Sequence, residues 1–422
     1  MADAVNPNRI GRAFDRAALE RLADWLAVAV VVTLPWSTSI SQILIVAWLA
    51  ALVPTLDVAA VRRELQSPAG ALPVLLWILA LVGMSWAGVS GSVSFAERIA
   101  GLGGFHKLLI IPLLLAQFRR SPRGRSVLYG FLASCVVLLT ASVIVWLLPF
   151  HVMGRQSGVP VRDYIAQSTE FLICIFALLA VAFDRQREGR WRHAAAAALL
   201  ALLFLADILL VSTGRTALAV IPLLLLMLGF RLFGWKGVAL ACIVGVTVTA
   251  LAWTVSPFLR ERINRSIVEV QLYQTTNEIT STGTRFELWK KAAGFVAAAP
   301  AIGHGTGSIP DQYRRVATGE GVTAIAANNP HNQIFAVAIQ LGMLGVAILM
   351  TMWVAHLALF RGTGLISWFG LVIVTQNIVS SLFNSHLFDS FHGWLYVFGF
   401  GVLGGMALRE AEHARRTRAG AQ

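Results

Sequence analysis

Charge is what this sequence has least of. Asp, Glu, Lys and Arg make up 13% of its 422 residues, where soluble domains carry about a quarter. With 57% of the chain hydrophobic, a water-soluble fold is excluded. Cysteine is nearly absent: Cys135, Cys174 and Cys242 all lie inside apolar runs, without CxxC or Cys/His spacing, which excludes a disulfide framework and a zinc site. The one long hydrophilic loop holds no Asp-x-Asp or other carboxylate cluster to bind a divalent cation, and no glycine fingerprint following a strand. Neither a metal nor another cofactor is therefore expected. A repeat of fixed period and a low-complexity tail are also missing.

What is present is a series of apolar blocks of spanning length. Twelve are read, at about 22-37, 39-56, 70-89, 98-117, 126-149, 168-184, 192-211, 215-232, 235-255, 331-358, 363-383 and 388-408. The expected fold is an all-α integral membrane protein of about 12 transmembrane helices in one polytopic domain. Spans one to nine fill residues 1-255, a hydrophilic loop with short helices covers 256-330, spans ten to twelve follow at 331-408, and 409-422 is a tail. The first block follows a basic stretch with Arg9, Arg12, Arg16 and Arg21 and no cleavage site, so it reads as an uncleaved span. The net charge of +13 reflects topology rather than nucleic-acid binding. Most Lys and Arg fall on the side of the termini, while the opposite short loops hold Arg98, Arg155, Arg162 and Arg215. Both termini are therefore expected in the cytoplasm, and the long loop outside it.

Chemistry is expected in that loop and at its borders. Arg215 opens span eight in Ser212-Thr213-Gly214-Arg215-Thr216. A cation at a helix N-terminus opposes the macrodipole, so Arg215 either serves an anion such as a phosphate or snorkels at the interface. Thr284 and Glu287 form a capping-box pattern that predicts a short amphipathic helix at the membrane surface, with Arg285 just inside it and Trp289, Lys290 and Lys291 along it. Two such arginines facing one cavity would suit a diphosphate. Arg260, Arg262 and Arg265 add charge nearby. In Asn328-Asn329-Pro330-His331-Asn332, Asn329 is a natural cap and Pro330 a first helical residue, which puts His331 in a first turn whose dipole keeps imidazole neutral. His331 is thus either a general base or an interfacial histidine satisfied by hydrogen bonds. Gly342 and Gly345 follow as packing glycines. The glycine-rich run Gly303-His304-Gly305-Thr306-Gly307 reads as an anion nest around Gly305, with His304 as a substrate contact or a plain loop histidine. Lys107, Glu170 and Asp207 are ionisable groups inside spans, to be paired or facing a cavity, and Asp389 and His392 stand near the same mouth.

Three of these pieces occur together in the order found in one family. The chain resembles the O-antigen ligases, within a superfamily that also holds O-antigen polymerases and protein O-oligosaccharyltransferases. The pattern H-[N/S/Q]-x9-G-x-x-G is met by His331, Asn332, Gly342 and Gly345; the arginine after a short outer turn is Arg215; and Thr284-Arg285-Phe286-Glu287-Leu288-Trp289 precedes the Pro300 to Gly307 stretch. The resemblance implies a GT-C-like glycosyltransferase of the bacterial inner membrane with its active site facing the periplasm. Its partners would be undecaprenyl diphosphate-linked O-antigen, the lipid A-core oligosaccharide and membrane lipids, with no nucleic acid. Arg215 and Arg285 would hold the diphosphate and His331 would act as base, in a metal-independent inverting displacement. Arg265, His304, Asn332, Lys107 and Gly305 are the expected substrate contacts. A polymerase drawing on the same donor is the alternative reading, followed by a lipid or sugar transporter.

Overall fold

The computed structural model describes residues 15–89, 91–148, 158–161, 163–212 and 214–419. Arg9, Arg12, Arg155, Arg162 and Thr213, used above, lie outside the described residues, as does the side chain of Arg262. The helices are α1 (Arg16–Thr33), α2 (Thr38–Leu52), α3 (Val58–Leu65), α4 (Pro68–Ala87), α5 (Phe95–Gly103), α6 (Ile110–Arg120), α7 (Gly124–Leu147), α8 (Tyr164–Arg187), α9 (Trp191–Leu210), α10 (Arg215–Val255), α11 (Pro257–Thr276), α12 (Ser281–Ala298), α13 (Ile309–Val316), α14 (Gln333–Leu359), α15 (Leu365–Ser380) and α16 (Ser390–Ala419). No strand occurs among the described residues. Apolar helices that satisfy their own backbone are what a bilayer permits, and the protein is an all-α integral membrane protein.

Among the described residues eight helices are long and apolar enough to span a membrane, or nine if α5 and α6, bent by 46°, count as one. The expected twelve apolar runs fall on these helices, but three of them do not count separately, each for a physical reason. Helix α1 carries Arg16, Glu20, Arg21 and Asp24, and α15 has 16 residues. The 41 residues of α10 contain a break at Gly234, with φ 60° and ψ −140°. A Cβ on Gly237 would stand 1.9 Å from the Gly229 carbonyl oxygen, although residues eight apart on a straight helix are about 12 Å apart. Helix α10 therefore doubles back at Gly234, and glycines let its two arms touch.

Helices α8 and α16 form the centre, with 78% and 83% of their apolar windows buried. Polar groups inside are mostly satisfied by one another, as in the chain from Trp48 Nε1 to Gln117 Oε1 (2.9 Å) and from Gln117 Nε2 to Asp24 Oδ1 (2.9 Å). Arg16 donates to the Thr55 carbonyl, and Arg119 on α6 bridges Glu64 and Glu412, so the start of α1 and the end of α16 share one end of the bundle. Helix α16, of 30 residues, is about 45 Å long and carries the chain from the opposite end, where α11 to α13 and the turn at 381–389 gather.

Candidate functional site

Arg215 is the first residue of α10, behind Gly214. The turn before it is fixed from within the bundle. Asp207 accepts from Ser212 Oγ at 2.6 Å, Gln167 Nε2 at 3.2 Å and Ser142 Oγ, while Ser168 Oγ donates to the Ser212 carbonyl. A side chain on Gly214 would meet Ser168 Oγ at 2.5 Å, so only glycine lets the turn lie against α8. Asp207, expected to be paired or to face a cavity, is held by neutral donors, while both carboxyl oxygens of Glu170 are buried without a hydrogen-bond partner among the described residues.

The guanidinium of Arg215 reaches the loop helices. Its Nη1 donates to Ser266 Oγ (3.1 Å), Glu269 Oε2 (3.2 Å) and Thr282 Oγ1 (2.8 Å), and its Nη2 approaches Ser281 Oγ at 3.4 Å. Burial raises the Glu269 carboxyl, but hydrogen bonds from Thr282 and Arg215 outweigh it and leave the group below its ordinary value. Glu269 is thus an anion already seated on Arg215. Sequence reasoning missed it, because nothing in the α11 pattern marks one glutamate among its charges. Arg265, next to Ser266, pairs instead with Glu261 on the exposed side of α11.

Helix α12 begins earlier than the capping-box pattern indicates. Thr280, not Thr284, is its cap, accepting from Gly283 N at 3.1 Å. Glu287 is buried, accepts from Tyr273 Oη at 3.0 Å and lies 3.9 Å from Lys291. Leu288, Ala292 and Phe295 pack against Tyr313 of α13 and Ala336 and Ile339 of α14, so one face of α12 is pinned to the bundle. Arg285 therefore sits in the second turn, one turn beyond Thr282 on the same face, which brings it close to the group that holds Arg215. Its charge is felt by both His331 and His386.

The turn before α14 also differs from expectation. Asn332 is the cap: its Oδ1 accepts from Ile334 N (2.9 Å) and Phe335 N (3.1 Å), and its Nδ2 donates to the Leu382 carbonyl (2.9 Å). That side chain is spent on the helix start rather than offered to substrate. Asn329 Oδ1 instead accepts from His331 N at 2.8 Å and from Ser385 Oγ at 2.7 Å. His331 lies just outside the helix with φ 52°, an αL conformation that costs energy for a residue with a Cβ. Its Nδ1 is 3.0 Å from Asn384 Oδ1, which also accepts from Ser385 N (2.9 Å) and Asn329 Nδ2 (3.2 Å). An oxygen used three times as an acceptor fixes the tautomer. Nδ1 carries the proton, and Nε2 presents a lone pair. Burial lowers the His331 pKa; the Asn384 hydrogen bond raises it, and Arg285 lowers it again, leaving it below its ordinary 6.5. The neutral ring inferred from a helix dipole thus arises from desolvation and a neighbouring cation.

Behind Asn384, His386 and His392 stack with ring centroids 3.8 Å apart, and His392 Nδ1 donates to Asp389 Oδ1 at 2.9 Å. Burial, then the neighbouring His392, pushes His386 well down. Burial raises Asp389, but the His392 contacts dominate and hold it far below the carboxylate range.

The glycine-rich run serves the break in α14. Gly342 has φ 62° and ψ −164°, which frees carbonyls in mid-helix. His304 N donates to the Ile339 carbonyl (2.8 Å), Gly305 N to that of Gln340 (2.9 Å), and Gly307 N to Gln340 Oε1 (2.8 Å). The amides expected to cradle an anion at Gly305 are therefore engaged by protein, and His304 Nε2 donates to the Phe295 carbonyl at 2.8 Å. The run and the two motif glycines form one scaffold under the His331 turn.

A cavity of about 900 Å³ lies beside that turn, its wall including Asn328 and Phe388. One side is apolar, with Ile45, Val46 and Leu49 of α2, and Val46 is also 67% exposed, so the cavity opens sideways to where lipid chains would lie. The other side is polar and includes Lys107, Glu97 and Arg314. Lys107 donates to the carbonyls of Phe388 (2.9 Å) and Asp389 (2.8 Å). An ammonium has three donors, and Lys107 makes no third hydrogen bond among the described residues, its Nζ lying 6.0 Å from the Trp394 ring centroid. No group of three His, Cys, Asp or Glu side chains among the described residues is placed to hold a metal ion.

A multi-pass helical membrane protein with arginines and a neutral histidine gathered at one end is the class that the fold and site define. Residues 199–350, a segment that contains Arg215, Arg285 and His331, match the sequence model of a family described as O-antigen ligase. Its members are ligases and polymerases of glycosyltransferase type that act on lipid-linked polysaccharide. Comparison with curated proteins returns no match.

Proposed function

We propose that the protein is an O-antigen ligase, transferring polysaccharide from undecaprenyl diphosphate to a sugar hydroxyl of the lipid A core at the periplasmic face of the inner membrane. The observation that carries this reading is His331: a neutral ring with its proton fixed on Nδ1 by Asn384, a bare Nε2, and the field of Arg285 beside it. The acceptor oxygen attacks the anomeric carbon and gives its proton to Nε2, while the bond from that carbon to the diphosphate breaks and the electron pair leaves with phosphate oxygen. One displacement of this kind inverts the anomeric centre. Negative charge grows on the diphosphate, where preplaced guanidinium groups stabilise the transition state. Arg215 and Arg285 take that part, and the Glu269 carboxylate holds the place of the diphosphate until the donor arrives. Lipid substrates would reach the site from the bilayer, and the cavity at Lys107 suits the acceptor, because its wall includes Asn328 and Phe388, neighbours of the base, and neither Arg215 nor Arg285.

The test is reconstitution of purified protein with undecaprenyl diphosphate-linked polysaccharide and rough lipopolysaccharide in EDTA. The expected product is polysaccharide-modified lipopolysaccharide, with His331→Ala slower by about 10²–10⁴-fold, the worth of a general base. Lengthening of the carrier-linked glycan with lipopolysaccharide untouched would replace ligase by polymerase. Full activity of His331→Ala would remove the base.

A further inference from the structure

The end of the bundle away from His331 holds a second cavity, of about 380 Å³, between α3, α6 and α16. Five arginines line it, Arg63, Arg119, Arg120, Arg409 and Arg416, against two carboxylates, Glu64 and Glu412. Both carboxylates are already engaged: Arg119 lies 2.7 Å from Glu64 and also binds Glu412, which Arg63 approaches at 3.7 Å. Arg120 leans towards Asp57 at 3.8 Å. Arg409 and Arg416, two turns apart on the face of α16 that carries Glu412, make no ion pair among the described residues. Three segments distant in sequence thus converge to surround one space with a surplus of guanidinium groups. Like charges so placed repel unless an anion lies among them.

The surroundings indicate which anion. Helix α3 is a short helix between the spans α2 and α4, and apolar side chains stand exposed along it and just before it: Val53 at 56%, Val58 at 78% and Leu65 at 38%. A short helix between two spans, with Arg63 turned to the cavity and Val58 and Leu65 exposed on another face, suits the bilayer interface. A soluble anion would gain nothing from that apolar rim, whereas a phospholipid uses both parts. Its phosphodiester meets planar guanidinium donors, and its chains run beside the rim. We infer that this cavity binds the head group of an anionic glycerophospholipid, making it a lipid site separate from the chemistry at His331. The assignment does not depend on the ligase reading.

The experiment uses the full chain in neutral detergent, with phosphatidylglycerol or phosphatidylcholine titrated in and bound lipid counted by native mass spectrometry. Phosphatidylglycerol is expected to bind and to raise the unfolding temperature, and phosphatidylcholine to do neither. The double variant Arg409→Gln, Arg416→Gln leaves the Arg119 bridge intact and should weaken phosphatidylglycerol binding roughly thirtyfold, the effect of two interfacial basic charges. Arg185→Gln with Arg190→Gln, basic residues of the α8–α9 turn that pair with Glu188, should leave it unchanged. If the double variant fails to fold, Arg416→Gln alone should weaken binding about fivefold. Equal binding of phosphatidylcholine, wild-type affinity in the Arg409/Arg416 variants, or full protection by inorganic phosphate alone would each overturn the assignment, the last in favour of a soluble anion.

Discussion

Arg215 and Arg119 stand at opposite ends of the same bundle, and each is met by carboxylates, but the settings differ. Arg119 bridges Glu64 and Glu412, with its side chain 17% exposed and that of Glu64 2% exposed, so it ties α3, α6 and α16 together. Arg215 is 26% exposed and meets one carboxylate, Glu269, among the hydroxyls of Ser266, Ser281 and Thr282. Hydroxyls can turn to serve a new partner and a single carboxylate can be displaced, whereas a guanidinium spanning two carboxylates is held from both sides. The first arrangement holds a fold, and the second keeps a cation ready for an incoming anion.

The same substitution at both positions tests this contrast. Arg215→Lys removes the planar fork that holds phosphate in two places, and the expected loss is about 100-fold in kcat, the scale of one preorganised transition-state donor, with little change in unfolding temperature. Arg119→Lys cannot reach both Glu64 and Glu412, and about 2 kcal/mol of stability should be lost, the worth of a charge-assisted hydrogen bond, with kcat of the folded fraction unchanged. Reconstituted turnover beside thermal unfolding reads both. Equal effects of the two variants on rate would dissolve the distinction.

Much of this organisation was legible in the sequence. Twenty-residue apolar blocks disclosed the helices, and the order of Arg215, Arg285 and His331 pointed to the family whose sequence model matches residues 199–350. Helix starts were misread in two places, at Thr280 and Asn332, because several residues able to cap stand close together and only tertiary contacts select among them. Asn329 had the right chemistry but accepts from His331 N and Ser385 Oγ instead, and Thr284 lies within the helix that Thr280 caps. Glu269 and Asn384 went unseen for a related reason, since their importance lies in facing Arg215 and His331 across 54 and 53 residues of chain. The glycine run was assigned to a ligand because its sequence fits an anion nest equally well, and the carbonyls freed by Gly342 that claim its amides become visible only in three dimensions.

The His331 end can be examined further through its proton. The neutral form is the active one and its pKa is lowered, so kcat/KM should be flat near pH 7 and fall with acid only below pH 6.5. Asn384→Ala loses the bond that orients the ring and fixes its tautomer, and about a tenfold loss in kcat is expected. That bond also raises the His331 pKa, so the acid limb should move to lower pH. Arg285→Gln removes a cation that lowers it, and the limb should move to higher pH. Opposite displacements in the two variants separate an effect on the base from general damage to the turn, and a common direction would refute this account of its environment.

The smallest expected effect comes from Glu269→Gln, which asks whether Glu269 holds Arg215 in place or holds the place of the donor. Glutamine keeps the shape and removes the charge. Arg215 retains Thr282 Oγ1 at 2.8 Å and Ser266 Oγ at 3.1 Å, enough to keep the guanidinium oriented. The pair is partly exposed, so its loss should cost no more than about 1 kcal/mol of stability. An anion that no longer competes with a carboxylate binds more readily, and the donor KM should therefore fall severalfold while kcat holds. A rise in KM would mean that Glu269 positions Arg215, and the two ends of the bundle would then use their carboxylates in the same way.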